Sequence, residues 1–188
     1  EMAGRDPADY YEMIPVDPFY RVKFQDGSHF DYVGEEDRIL DQIRAMSPQD
    51  VDGYKRLAQK SKDIFEVGYD QLVDVPFHKF STMLKAVPDM MRLGSYRSVY
   101  SMVSHYVKDE RLRQVFTFQP LLIGGNPFSV TSVYTLISFL EQRFGVWSAM
   151  GGTGSIVKGM TGLIEGLDGK IECNAEVEEI LVDQGAVR

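Results

Sequence analysis

A chain of 188 residues, 44% hydrophobic and 12% aromatic, carries enough apolar side chain for one or two globular domains with a real core. Its net charge of −8 argues against a general nucleic-acid binder, because phosphate attraction needs a basic surface. The one cysteine, Cys173, cannot form an internal disulfide and fits a reducing compartment, while His29, His78 and His105 lie far apart with no metal-ligand spacing.

No apolar run approaches the length of a membrane span. Glu1 is no initiator residue, and "VEEILVDQGAVR" stops where a strand is under way. Domain boundaries usually fall in loops, so the chain reads as a piece of a longer protein.

The first structured stretch, "YEMIPVDPFYRVKFQDGSHFDYV", alternates apolar and polar residues around Asp26-Gly27, which predicts a hairpin between two strands. "EEDRILDQIRAM" then sets Ile39, Leu40, Ile43 and Met46 on one helical face. Ser47-Pro48-Gln49-Asp50 supplies a capping serine, a proline at the first helical position and an acid in the first turn. The helix it opens is expected to be long, with Val51, Tyr54, Leu57, Ser61, Phe65, Gly68 and Leu72 as its buried stripe up to Val75-Pro76.

Three shorter helices are expected across 80–118, broken near Pro88, Gly94 and Lys108-Asp109. After "GGNPF", Thr131 or Ser132 caps another, with Val133, Leu136, Ile137, Leu140 and Phe144 inward and Gly145 as its stop. "VWSAM" reads as a short strand, "SIVKGMTGLIEGL" as a helix, and "KIEC" and "VEEILV" as two further strands. Helices dominate the middle and a β-α-β pattern begins at the end, so the class is mixed α and β.

Two signals carry chemistry. "MGGTGSIVKG" follows a strand and opens a helix, as a dinucleotide fingerprint would, with Glu172 about twenty residues on. Its third position is Val157, where Gly or Ala should allow close packing, so a tight turn with a glycine-rich helix start is the preferred reading. Residues 79–108 hold Lys79, Lys85, Arg92, Arg97 and Lys108 against Asp89 alone, a local charge of +4 among methionines, leucines and tyrosines. That composition suits a helix lying in a membrane surface, but on pattern alone ordinary core packing with solvated lysines is the preferred reading, since periodicity cannot separate an apolar face against lipid from one against a core.

Residues 121–160, "LLIGGNPFSVTSVYTLISFLEQRFGVWSAMGGTGSIVKGM", strongly resemble the bacterial and fungal phytoene desaturases, the carotenoid-desaturase branch of the flavin amine-oxidase superfamily. "PVDPFYRVKFQDG", "FEVGYDQL" and "RSVYSMVSHYVKDERLRQVFTFQPLLIGGNPF" are similar to the same enzymes in the same order. The resemblance implies an FAD enzyme that inserts double bonds into phytoene, a C40 polyene, on the way to lycopene. It implies an α+β or α/β architecture: a mostly helical substrate domain with a small sheet over 1–150, and part of a Rossmann-like FAD-binding domain over 151–188. A related desaturase or ketolase, or a non-enzymatic isoprenoid-binding module, is the alternative.

Such a substrate offers no hydrogen-bonding handle, so its site must be an apolar tunnel; Phe118, Leu121, Leu122, Phe128, Tyr134 and Trp147 are its expected wall. The polyene lives in a bilayer, and with that context 79–108 reads as the contact of a cytoplasmic, peripheral protein with the membrane surface. Gly124 and Gly125 would let the backbone approach flavin or substrate, with an ordinary turn before a helix as the other reading. "NAEVEEI" resembles the strand whose valine reaches the adenine, which assigns Val177 to the cofactor. Members of the family carry an acid and an arginine three apart after V-P-F; here those places hold Thr82 and Lys85. Threonine cannot act as a carboxylate base, and lysine lacks the arginine fork, so Lys85, Asp74 and His78 stand as the candidate catalytic groups.

Overall fold

The computed structural model describes residues 3–71 and 80–187, most of them helical. In chain order the elements are β1 (Met13–Pro15), β2 (Tyr20–Lys23), β3 (His29–Tyr32), α1 (Glu36–Met46), α2 (Val51–Phe65), α3 (Phe80–Leu93), α4 (Val99–Tyr106) and α5 (Glu110–Thr117). Then follow α6 (Leu136–Phe144), β4 (Trp147–Ala149), α7 (Thr153–Gly166), β5 (Val182–Asp183) and β6 (Ala186–Val187). Small antiparallel sheets beside dominant helices make the class α+β. The chain divides into two compact units, one of residues 15–146 and one of 1–14 with 147–188.

In the larger unit, β2 and β3 form the expected hairpin, with Tyr20 opposite Tyr32 and Val22 opposite Phe30. Asp26 ties the turn by accepting from the Ser28 N–H at 2.9 Å, and Gly27 takes the left-handed conformation at φ 84° that the turn requires. The inward residues Phe30 and Tyr32 are fully buried. Along α1 the same core takes Ile39, Leu40 and Ile43, as the helical spacing predicts. Gln42 clamps that helix to the sheet: its Oε1 accepts from the Asp31 N–H at 2.7 Å, and its Nε2 donates to the Asp31 carbonyl at 2.8 Å.

Ser47 does not cap a backbone N–H. Its hydroxyl donates to Asp50 Oδ2 at 2.8 Å, and Pro48–Asp50 forms a 3₁₀ turn leading into α2. The reason is Asp50, a buried carboxylate that gathers donors, including the N–H groups of Lys108 (2.7 Å) and Asp109 (2.8 Å). One turn on, Gly53 lets α2 touch the end of α4: a Cβ there would lie 2.0 Å from the Tyr106 carbonyl oxygen. Tyr54, Leu57, Ser61 and Phe65 are buried as read, joined by Ile64. The helix then widens into π geometry over Glu66–Gln71; Leu72 and Val75-Pro76 lie outside the described residues.

The break expected near Pro88 is absent, and α3 runs through it. A proline removes one i→i−4 bond, which a helix can carry when the turns on both sides continue. Gly94, left-handed at φ 74°, does end α3, and Asp109 caps α5 by accepting from Arg111 and Leu112 N–H groups. Thr131 accepts from the Val133 N–H, opening the 3₁₀ turn Ser132–Thr135 that leads into α6, and Gly145 stops that helix. Val133 and Leu136 pack on Ile64, Val67 and Leu93. Phe144, expected inward, is 52% exposed with the Arg143 guanidinium over its ring, and the buried residue of α6 is Glu141.

In the smaller unit, β1 pairs with β4, and Gly151 and Gly152 make the tight turn read from "MGGTG" before α7 begins. Gly159 brings α7 against the Tyr10 backbone and the Tyr11 ring. The strands expected at "KIEC" and "VEEILV" do not form: 171–181 is exposed and irregular, and only Val182–Asp183 pairs, in a hairpin with Ala186–Val187. Alternation shows that a segment suits a sheet, but a strand also needs a neighbour for its backbone groups, and the described residues place none beside 171–181.

Candidate functional site

The loop between α5 and α6 gathers most of the expected wall residues of the larger unit. Phe118 presents its ring edge-on to Tyr20, centroids 4.9 Å apart, and Gln119 and Pro120 are buried behind it. The 3₁₀ turn Gln119–Ile123 then throws Leu121, Leu122 and Ile123 outward, each more than half exposed. Gly124 closes the turn in the left-handed region at φ 72°, with open space where a Cβ would stand. Gly125 is tight for an internal reason, since a Cβ there would fall 3.2 Å from the Pro120 carbonyl oxygen.

Asn126 fixes the second half of the loop. Its Oδ1 accepts from the Phe128 N–H at 2.9 Å and its carbonyl from the Val130 N–H at 2.8 Å. The Pro127 carbonyl accepts from the Tyr100 N–H, and the exposed Phe128 ring lies 4.5 Å from that of Tyr100. Phe118, Leu121, Leu122 and Phe128 thus share one well-bonded loop. Tyr134 is instead half-buried against the main core, and Trp147 belongs to the other unit.

Glu141 is the residue that pattern reading passed over. It is 5% exposed, the Tyr20 hydroxyl donates a short hydrogen bond to its Oε1, and its Oε2 has no partner among the described residues. Burial pushes the carboxyl above the ordinary glutamate range, partly offset by the Tyr20 hydrogen bond. Tyr20 is raised in turn, by burial first and then by Glu141. Tyr32 and Tyr54 are likewise raised by burial, and Gln142 donates to the Tyr54 hydroxyl at 2.8 Å. The signal was available: Glu141 lies four residues after Ile137 and next to Leu140, on the side of the helix read as inward.

Of the candidate catalytic groups, Lys85 falls on α3, while Asp74 and His78 lie outside the described residues. The same helix exposes Val87, Met90 and Met91, and Arg92 pairs with Asp89 at 3.2 Å. Just beyond it, Arg97 lies over the exposed ring of Tyr96. Among the described residues no helix is long and apolar enough to cross a membrane. Val177, in the smaller unit, is 73% exposed on an irregular stretch.

No protein-family model matches the chain. Curated relatives do. Over 186 residues, 99% of its length, it is 45% identical to the lycopene-forming phytoene desaturase of Pseudescherichia vulneris. It is 44% identical over 179 residues to the lycopene-forming phytoene desaturase of Pantoea ananas, and 42% identical over 182 residues to the neurosporene-forming phytoene desaturase of Cereibacter sphaeroides. These matches take up 38%, 36% and 35% of the three relatives, so the chain spans a little over a third of their length. Homologues at 42–45% identity over nearly the whole chain are therefore phytoene desaturases.

Proposed function

We propose that this chain is the substrate-handling part of an FAD-dependent desaturase that converts phytoene towards lycopene at a membrane surface. The observation that carries the reading is 45% identity over 99% of the chain to a lycopene-forming phytoene desaturase. The physical chemistry agrees. A hydrocarbon substrate is held by shape and apolar area, and the loop offers exposed apolar side chains at Leu121, Leu122 and Phe128, with half-buried Phe118 at its root, on a fixed backbone. In this reading Tyr134 extends that wall within the larger unit, and Trp147 is an exposed apolar residue of the smaller one.

FAD, when bound, would accept the hydride removed from the polyene. The residues present suit a supporting role towards it. Gly124 leaves its Cβ position open, so a flat ring can approach the backbone there. Gly125, tight against Pro120, keeps that turn in shape, and the exposed backbone at Val177 is accessible to an adenine edge. Residues 151–188 are assigned to a Rossmann-like FAD-binding domain and 1–150 to the substrate domain. Lys85, Asp74 and His78 are the candidates for handling the proton.

The test is product analysis. The full-length protein, supplied with FAD and phytoene in liposomes, should yield coloured conjugated polyenes separable by chromatography. Lycopene as end product supports the reading, and neurosporene would place the chain with the shorter-acting relatives. Unchanged phytoene with a flavin-loaded protein would sink it.

A further inference from the structure

Glu141 sits where an acid is hard to keep ionised. From its neighbours it meets phenols: Tyr20 from β2 by a hydrogen bond and, beyond that, Tyr32 from β3, fully buried; the next residue, Gln142, donates to Tyr54 of α2, which feels the charge of Glu36. The two arginines nearest in sequence to Tyr20 and Glu141 are engaged elsewhere. Arg143, two residues along α6, holds its guanidinium over the Phe65 and Phe144 rings at 5.5 and 5.2 Å, and Arg21 on β2 is paired with Asp31 at 2.6 Å. An orphaned oxygen on a buried neutral acid costs far less than one on a buried carboxylate. The unpartnered Oε2 therefore favours the protonated form.

We propose that Glu141 is carried as a neutral carboxylic acid and, with Tyr20, forms a pH-sensitive latch that fastens α6 to the β2–β3 hairpin and holds Phe118 in place. The link to Phe118 is direct, because the Tyr20 ring meets the Phe118 ring edge-on at 4.9 Å, at the root of the exposed loop. Loss of the latch frees that root. Burial raises the folded-state value of Glu141 above that of the unfolded chain. Its contribution to stability is then full below the ordinary glutamate range and is lost as pH rises through the folded value. Ionisation strengthens the Tyr20 bond itself, but it also puts a charge in a buried site, and that burial cost, the larger of the two effects, opens the latch; acid keeps it closed.

The test uses infrared difference spectra of the full-length protein across pH and reads no activity. Wild type should keep a protonated-carboxyl C=O band above the pH at which surface acids have ionised, and Glu141→Gln should lack it. Tyr20→Phe keeps the ring against Phe118 but removes a hydrogen bond that lowers the Glu141 value, so the band should survive to higher pH still. A merely structural tyrosine would not move it. Amide hydrogen exchange at 118–124, corrected for intrinsic rate, should rise through the wild-type transition and stay flat across it in Glu141→Gln. Absence of the wild-type band would overturn the proposal, as would an unshifted or lowered midpoint in Tyr20→Phe. An exchange profile identical in wild type and Glu141→Gln would overturn it too. If Glu141→Gln fails to fold, the comparison of wild type with Tyr20→Phe decides alone.

Discussion

A buried carboxylate survives only among groups that favour its charge, and Asp50 has three hydrogen-bond donors with the Lys108 charge nearby. Burial pushes its value up, but the backbone N–H groups of Asp109 and Lys108 and the Ser47 hydroxyl outweigh this and hold it below the usual aspartate range. Stability from this site is thus present above the unfolded aspartate value and lost as pH falls through the folded one. Asp50→Ala leaves two part-buried N–H groups without their acceptor and should cost about 2 kcal/mol. Asp50→Asn should cost less and flatten the acid limb of stability, both read by urea unfolding at a series of pH values. Gly53 gives a second test at this scale. Alanine is the better helix former by about 1 kcal/mol, yet its Cβ would stand 2.0 Å from a backbone oxygen. Overpacking of that kind should win, and Gly53→Ala should lose about 3 kcal/mol in the same assay.

Among the elements, α3 carries the proposed membrane contact, with Val87, Met90 and Met91 exposed. Each basic residue near an anionic surface adds about 1 kcal/mol, screened by salt. Replacing Arg92 and Arg97 together by glutamine should lower sedimentation with anionic liposomes roughly 30-fold at low salt, about 2 kcal/mol in all. Met91→Glu should weaken binding at low and high salt alike, because insertion is apolar. Unchanged binding in both variants would place the contact elsewhere. The hairpin, α1 and the stop at Gly145 were legible because alternation, helical spacing and turn glycines are local. What escaped reading depends on distant groups. Ser47 turns to Asp50 because Asp50 is buried against residues 58 positions away, and "KIEC" stays irregular for want of a strand beside it. Glu141 escaped because a single acid inside an apolar stripe looks like a solvated interruption until its burial is seen.

For the molecule as a whole, the loop of 118–128 is where shape and chemistry should meet. Phe128 is exposed yet fixed by Asn126 and by the Tyr100 ring. A charge placed there would have to be stripped of water before an apolar chain could lie against it, so Phe128→Glu in the full-length protein should slow desaturation at least about tenfold. Flavin content should stay unchanged, measured by absorbance of the purified protein. Loss of flavin would assign Phe128 to folding instead. How far each motif is legible also differs with scale: the long similarity to phytoene desaturases reaches across both units, whereas of the proposed proton-handling residues only Lys85 falls within the described residues, on α3.

The Asp50 clamp also bears on how fast the larger unit comes apart. Its bonds to Lys108 and Asp109 join residues 58 and 59 positions apart, so the chain between must be brought together before either can form. Loop closure is an entropic cost met before such contacts give any return, and we expect this clamp to close only once the barrier to folding is passed. Substitutions at Asp50 should then leave the refolding rate nearly unchanged and accelerate unfolding by almost their full energetic effect. The clamp acts as a brake on opening, and its removal would shorten the lifetime of the folded unit far more than it would delay its formation.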